Sequence, residues 1–377
     1  MANKSVFASL VGRLLPKATA RNAEGAGAYA HGAEHKLAQL AMTGTFGGGF
    51  YQDAQAETSA LVAEAMAVDP LFLAQTAVHV RERGHMKDTP ALLLAVLSAR
   101  DPALFAQVFG RVVTSGRMLR TFVQILRSGQ AGRKSLGSRP KAMVQHWLNR
   151  ASDAQLLAAS VGNDPSLADV IRMVHPRPET AERAAFYAWL IGKPADAAAL
   201  PGVVRDLLAF RAGASADVPD VPFQMLADLP LTPGQWAEVA RKGSWQMLRQ
   251  GLNMLDRKGA FTVPGTVDHV AEVLRDPGRI RAAKALPYQL LATLKALAPG
   301  VDERLRDALH DAMELSVANV PGFGGSVAVC PDVSGSMLSP VTGYRRGATS
   351  VVRCIDVAAL VAAAVLGKNP AAHVLPF

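Results

Sequence analysis

From residue 34 to about residue 316 the chain is a succession of amphipathic segments, most of them roughly ten to fifteen residues long, joined by short connections rich in Gly, Pro, Asp and Ser. Residues 54–68, 70–83, 90–98, 102–114, 118–127, 140–150, 166–174, 179–191, 203–211, 235–241, 246–256, 267–274 and 301–317 each read as a helix. Pro70, Pro90, Pro102 and Pro140 are placed to open theirs, because the first helical N–H has no partner within the helix and its loss costs nothing. Composition agrees: half the residues are hydrophobic, Ala, Leu and Val dominate, and only 6% are aromatic, which suits packed helices better than a β-sandwich. Helix after helix with short turns favours a solenoid of helical hairpins over a compact bundle. Solenoids present long concave or ring-like surfaces suited to extended ligands.

The pattern changes at the glycine-rich residues 322–325. Residues 326–330 (SVAVC) form a β-type run, the loop PDVSGSM follows, residues 355–366 are a nearly apolar helix, and 372–377 begin a second strand. Strand, loop, helix, strand is the start of a parallel α/β domain. Such a sheet needs several strands and two covered faces. The segment is therefore expected to be a truncated domain, either a fragment or one whose missing strands a partner chain supplies. Its apolar helix should then make the chain less soluble than one ending near Pro321. The expected division is a tail at 1–20, a helical-repeat domain at 21–321 and the partial α/β segment at 322–377.

Cys330 and Cys354 are too few for a disulfide framework and read as buried small hydrophobes in a reducing compartment. The N-terminus lacks the pattern of a signal peptide, and the apolar run 357–366 is about half a membrane span. A cytoplasmic protein without a membrane partner is expected.

Charge is concentrated. The net charge is +9, and the 51 residues between Asp101 and Asp153 hold no carboxylate while carrying Arg111, Arg117, Arg120, Arg127, Arg133, Lys134, Arg139, Lys141 and Arg150. This block equals the whole net charge. Surfaces that need only solubility mix both signs, whereas a field of one sign attracts polyanions. Within it, KAMVQHWLNR after Pro140 should pack Met143, Val144, Trp147 and Leu148 and offer Lys141, Gln145, His146, Asn149 and Arg150 as donors. The preceding GQAGRKSLGSRP is a basic glycine-rich loop suited to a phosphate backbone. It lacks P-loop spacing and a preceding strand.

Asp332-Val333-Ser334-Gly335-Ser336 fits D-x-S-x-S at the carboxyl end of a strand, where open α/β sheets bind ligands. Asp332, Ser334 and Ser336 are hard oxygen ligands suited to Mg²⁺. His31-Gly32-Ala33-Glu34-His35 matches H-x-x-E-H, but Gly32 interrupts the helix and no third ligand is evident, so it reads as the start of a helix through Leu40. The glycine-rich run 44–51 reads as a tight turn anchored by Phe50 and Tyr51. Met86, Met118, Met143 and Met173 read as core. No Ser-His-Asp or Cys-His constellation can be argued from the sequence, and the chain is read as not an enzyme.

Several stretches together resemble one family: GTFGGGFYQDAQAE, RERGHMKDTPALLLAVLSARD, GRMLRTFVQILRSGQAGRKSLGSRPKAMVQHWL, VGNDPSLADVIRMVHPRPETAERAAFYAWLIGK and VCPDVSGSM. They are similar to the TROVE-domain proteins, bacterial relatives of the Ro autoantigen, over about residues 20–377. D-x-S-x-S likewise resembles the metal-ion-dependent adhesion site of von Willebrand factor A domains, whose later Thr and Asp have no counterpart placed here. The resemblance implies a HEAT-like helical ring closed by an A domain. It also implies binding of small non-coding Y RNA on a basic outer face and of single-stranded 3′ ends of misfolded RNA in the central hole. Cooperation with an exoribonuclease such as polynucleotide phosphorylase is implied as well. The family's RNA surface matches at Arg133, Lys134, Arg139 and Lys141; Arg117, Arg120 and Arg127 are added on charge alone. The expected function is non-catalytic RNA binding in RNA quality control. The alternative is a protein-interaction module acting through a metal on D-x-S-x-S.

Overall fold

The computed structural model of the chain describes residues 18–21, 25–44, 54–163, 165–341 and 350–377. The tail at 1–17 and the run 45–53, with the expected anchors Phe50 and Tyr51, lie outside the described residues. The chain falls into two compact units, Met1–Arg205 and Asp206–Phe377.

Among the described residues the first unit begins with a short antiparallel pair, β1 (Ala20–Arg21) with β2 (Gly27–Ala28). Ten α-helices follow among the described residues: α1 (Ala33–Thr43), α2 (Ala54–Ala67), α3 (Pro70–Glu82), α4 (Asp88–Arg100), α5 (Pro102–Val112), α6 (Gly116–Ser128), α7 (Ser138–Arg150), α8 (Asp153–Ser160), α9 (Leu167–Val174) and α10 (Ala181–Leu190). The principal packings join helices one, two or three apart in the chain, such as α3 with α4 and α5, α4 with α6, α5 with α7 and α6 with α8. That is the signature of stacked helical repeats. The middle of the stack is α4, whose residues Thr89 to Ser98 are all buried. A helix apolar on every side must be covered on every side, here by α2, α3, α5 and α6.

Pro70 and Pro102 occupy first helical positions behind Asp69 and Asp101, whose carboxylates accept the freed amides of Leu71, Ala103 and Leu104 at 2.8–2.9 Å. Pro90 and Pro140 instead take the third position, in helices that start at Asp88 and Ser138. The exchange is free because the first four helical amides all lack an intrahelical acceptor.

The chain passes into the second unit within α11 (Gly202–Arg211). That unit contains α12 (Pro233–Lys242), α13 (Trp245–Arg257), α14 (Thr266–Arg275), α15 (Pro277–Ala283), α16 (Pro287–Ala296) and α17 (Glu303–Ser316). Then come β3 (Ala328–Val329), α18 (Cys354–Lys368) and β4 (His373–Val374). β3 and β4 pair in parallel across α18, as the strand–helix–strand reading requires, and the ladder runs on from Val327 O to Phe377. Gly322 marks a change of secondary structure inside this unit, since α16 packs on α18 and Lys295 Nζ reaches Asp356 at 2.7 Å. The molecule is mainly α with a small α/β segment, as expected.

Two expectations about the core fail. Cys330 is exposed and Cys354 half-buried, because a two-stranded sheet leaves its faces open. Of the four methionines only Met118 is fully buried; Met86, Met143 and Met173 are half-buried. Among the described residues no helix is long and apolar enough to cross a membrane.

Candidate nucleic-acid interface

Apart from Arg111, which lies on α5, the cations of the basic block fall on α6, α7 and the loop between them, all in the first unit. α6 is capped by Ser115, which accepts the Met118 amide, and closed by Gly129 at φ +83°. It buries Met118, Leu119, Phe122, Val123, Ile125 and Leu126 and exposes Arg117, Gln124 and Arg127. Spacings of seven and three residues put those exposed side chains on one stripe. Beneath it, Phe122 stacks on Phe105 at 5.8 Å and meets Phe109 edge-on at 5.5 Å, which fixes the backbone that carries the stripe.

α7 buries Pro140, Val144 and Leu148 and exposes Arg139, His146 and Arg150. Among the described residues none of Arg117, Arg127, Lys134, Arg139, Lys141 and Arg150 forms a salt bridge. Arg111 is different, being paired with Glu82 through two bonds of 2.8 Å. Arg127 lies within electrostatic reach of Asp169, whose carboxyl is held below the usual range mainly by the Ser166 hydroxyl and amide, with smaller help from Arg172 and Arg127.

The structure separates the candidate RNA contacts into two groups. Arg117, Arg127, Lys134 and Arg139 are exposed, and Lys141 is half-exposed. Arg120 and Arg133 serve the fold. Arg120 donates to Val161 O at 2.8 Å, Gly162 O at 2.6 Å and Pro165 O at 3.4 Å, holding the loop after α8, and burial lowers its proton affinity. Arg133 donates to Ser98 O at 3.2 Å near the end of α4 and lies against Gly137, where φ is +70° and a Cβ would strike the guanidinium. The expected donor face of α7 is likewise divided. Gln145 donates to Val174 O at 2.6 Å and His175 O at 3.1 Å, and Asn149 donates to Arg177 O at 2.7 Å while accepting from Tyr187 Oη at 2.9 Å. Burial pushes the Tyr187 phenol up to about 12. Gln124 belongs to the exposed stripe and was missed from sequence; its helical spacing from Arg117 and Arg127 was the available signal.

In the second unit Asp332 Oδ1 accepts the Ser334 amide at 2.8 Å, which keeps its carboxyl ionised to lower pH than usual, and the Ser334 and Ser336 hydroxyls meet at 2.9 Å. One carboxylate and two hydroxyls thus gather on one exposed turn after β3, a donor set that fits Mg²⁺ retaining several waters. His31 and His35 bring their ring centroids to 4.0 Å, yet among the described residues no group of three or more His, Cys, Asp and Glu is disposed to hold a metal.

The class these features define is a helical-repeat protein with a basic stripe on its first unit and a parallel α/β segment bearing a D-x-S-x-S turn. Among solved structures, the crystal structure of the Deinococcus radiodurans Ro (Rsr) protein has this fold: the TM-score is 0.66 at 21% identity, over 92% of this chain and 75% of that one. No family model and no curated protein matches the chain. The helical-repeat fold with a small α/β segment expected from the sequence is therefore one that this chain shares with that Ro protein.

Proposed function

We propose that the chain is a non-catalytic, cytoplasmic RNA-binding protein of the Ro type that acts in RNA quality control. It takes structured small non-coding RNA of the Y type, and single-stranded 3′ ends of misfolded RNA, and works beside an exoribonuclease such as polynucleotide phosphorylase. The observation that carries this reading is the set of unpaired cations, Arg117, Arg127, Lys134, Arg139 and Arg150, exposed on α6, α7 and their loop. Cations without intramolecular partners are free to replace the counterions of a phosphate backbone. Guanidinium groups can also stack on unpaired bases. The fold shared with the Deinococcus Ro protein supports the same reading.

The test replaces Arg117, Arg127, Arg139 and Arg150 together by Gln. All four are exposed, so the melting temperature should stay put while affinity for a structured small RNA falls by about tenfold or more. The slope of log affinity against log salt should also flatten by about 0.7 to 0.9 for each phosphate the protein no longer neutralises. Unchanged affinity and slope at physiological salt would refute this assignment of the surface.

A second reading is favoured by the convergence of Asp332, Ser334 and Ser336: a module that binds a partner's carboxylate through Mg²⁺. The expected result is Mg²⁺ binding in calorimetry that Asp332→Ala removes, with protein capture that depends on Mg²⁺ and ignores RNA.

A further inference from the structure

Arg249, on α13, is only 7% exposed. Its Nη1 donates to Gln289 O at 2.9 Å and to Thr293 Oγ1 at 2.7 Å on α16. Its enclosed Nε finds no partner, Nη2 makes no hydrogen bond, and among the described residues no carboxylate pairs with it. The guanidinium carbon stands 5.9 Å from the centroid of the Trp245 ring, which offers only a weak counter-field.

Three other part-buried arginines, Arg183, Arg100 and Arg120, have their charge compensated, although Arg183 Nη1 and Arg120 Nε are likewise enclosed without a partner. Arg183 has Asp153 at 3.4 Å. Arg100 donates to Ala65 O and Val68 O at the C-terminal end of α2, and Arg120 to the carbonyls that follow α8, where the helix dipole is negative. Arg249 instead rests on Gln289 in the first turn of α16, the positive end. An arginine cannot shed its proton, so its buried charge is left without an anion.

Beside it opens a pocket of about 230 Å³, in which Arg249, Gln250, Asn253 and Thr293 interrupt an otherwise apolar wall. Asn253 is fixed at both ends of its amide, donating to Ala296 O and accepting from Ala298 N. The free donors are Nη2 of Arg249 and the exposed Gln250 carboxamide, which makes no hydrogen bond among the described residues. They come from successive residues whose directions diverge around the helix. A tetrahedral anion can accept from both, whereas a carboxylate offers two oxygens in one plane.

We propose that this pocket is a phosphate-group site in which Arg249 supplies the charge and Gln250 a second donor. The phosphate arrives either as the free ion or as the terminal group of a nucleotide. The inference concerns the second unit and does not rest on the RNA surface of the first.

The full chain is titrated with inorganic phosphate, and separately with uridine 3′-monophosphate, against chloride at equal ionic strength. Melting temperature and tryptophan fluorescence are followed. A saturable stabilisation by phosphate that chloride does not give is expected. Gln250→Glu, an exposed substitution that leaves the core untouched, should weaken it by about tenfold or more. Arg249→Met should abolish it, and Gln250→Glu keeps the test decisive if that variant fails to fold. Tighter binding of the nucleotide assigns the phosphate to a nucleotide; weaker binding assigns it to the free ion. Phosphate acting no differently from chloride, or binding Gln250→Glu as well as the parent, would overturn the proposal.

Discussion

Two arginines three residues apart on α6 show how little the residue type says about its task. Arg117 points outward without an ion pair, while Arg120 ties the loop after α8 through Val161 O, Gly162 O and Pro165 O. Arg120→Gln should therefore cost about 1 to 3 kcal/mol in urea denaturation, since it strands carbonyls that the guanidinium satisfied. Arg117→Gln should stay within about 0.5 kcal/mol. In RNA binding the order should reverse, with Arg117 the more sensitive once Arg120→Gln is assayed well below its melting point. The basic block was legible in the sequence because charge is counted along the chain. Which of its members face solvent was not, because the carbonyls that engage Arg120 and Arg133 lie 35 to 45 residues away in the sequence.

At the scale of the element, α7 repeats the lesson. Its buried residues Val144 and Leu148 follow helical spacing and were readable. Gln145 and Asn149 were read as open donors, yet they close the backbone between Val174 and Arg177, where His175 adopts φ +50° before Pro176. Gln145→Leu should lower stability by about 1 to 2 kcal/mol and speed hydrogen exchange at the end of α9, with little effect on the RNA-binding salt slope. Among the described residues, three helices carry no clear signal in the sequence, for physical reasons. α8 carries its apolar residues in one run, Leu156 to Ala159, so no period shows. α15 buries Ile280 alone, and α16 begins as an ordinary Pro-Tyr-Gln turn. Arg249 gave no signal either, since a polar residue inside an amphipathic pattern looks the same whether its head meets water or another helix.

At the scale of the whole molecule, the second unit joins its helical and α/β parts through Asp356, which accepts from Lys295 and Arg353. The Arg353 bond chiefly, with Lys295 next, holds the Asp356 carboxyl far below its ordinary 3.8. A carboxyl lowered in the folded state contributes stability above its unfolded value and loses it as pH falls below that. Melting temperature should therefore drop as pH falls through 3.8 and beyond, and Asp356→Asn should flatten that part of the profile while leaving the protein weaker at pH 7. An Asp356→Asn profile as steep as the parent's would show that other carboxylates set it.

The near-neighbour packing of α1 to α10 has a consequence for folding. Few native contacts in such a stack must wait for distant parts of the chain to meet, so the search is short and can begin at several places. Damage should stay where it falls: a weakened hairpin would open by itself while helices a few places along remain closed. The RNA surface proposed for α6 and α7 could then loosen and re-form around its ligand without the rest of the unit coming apart.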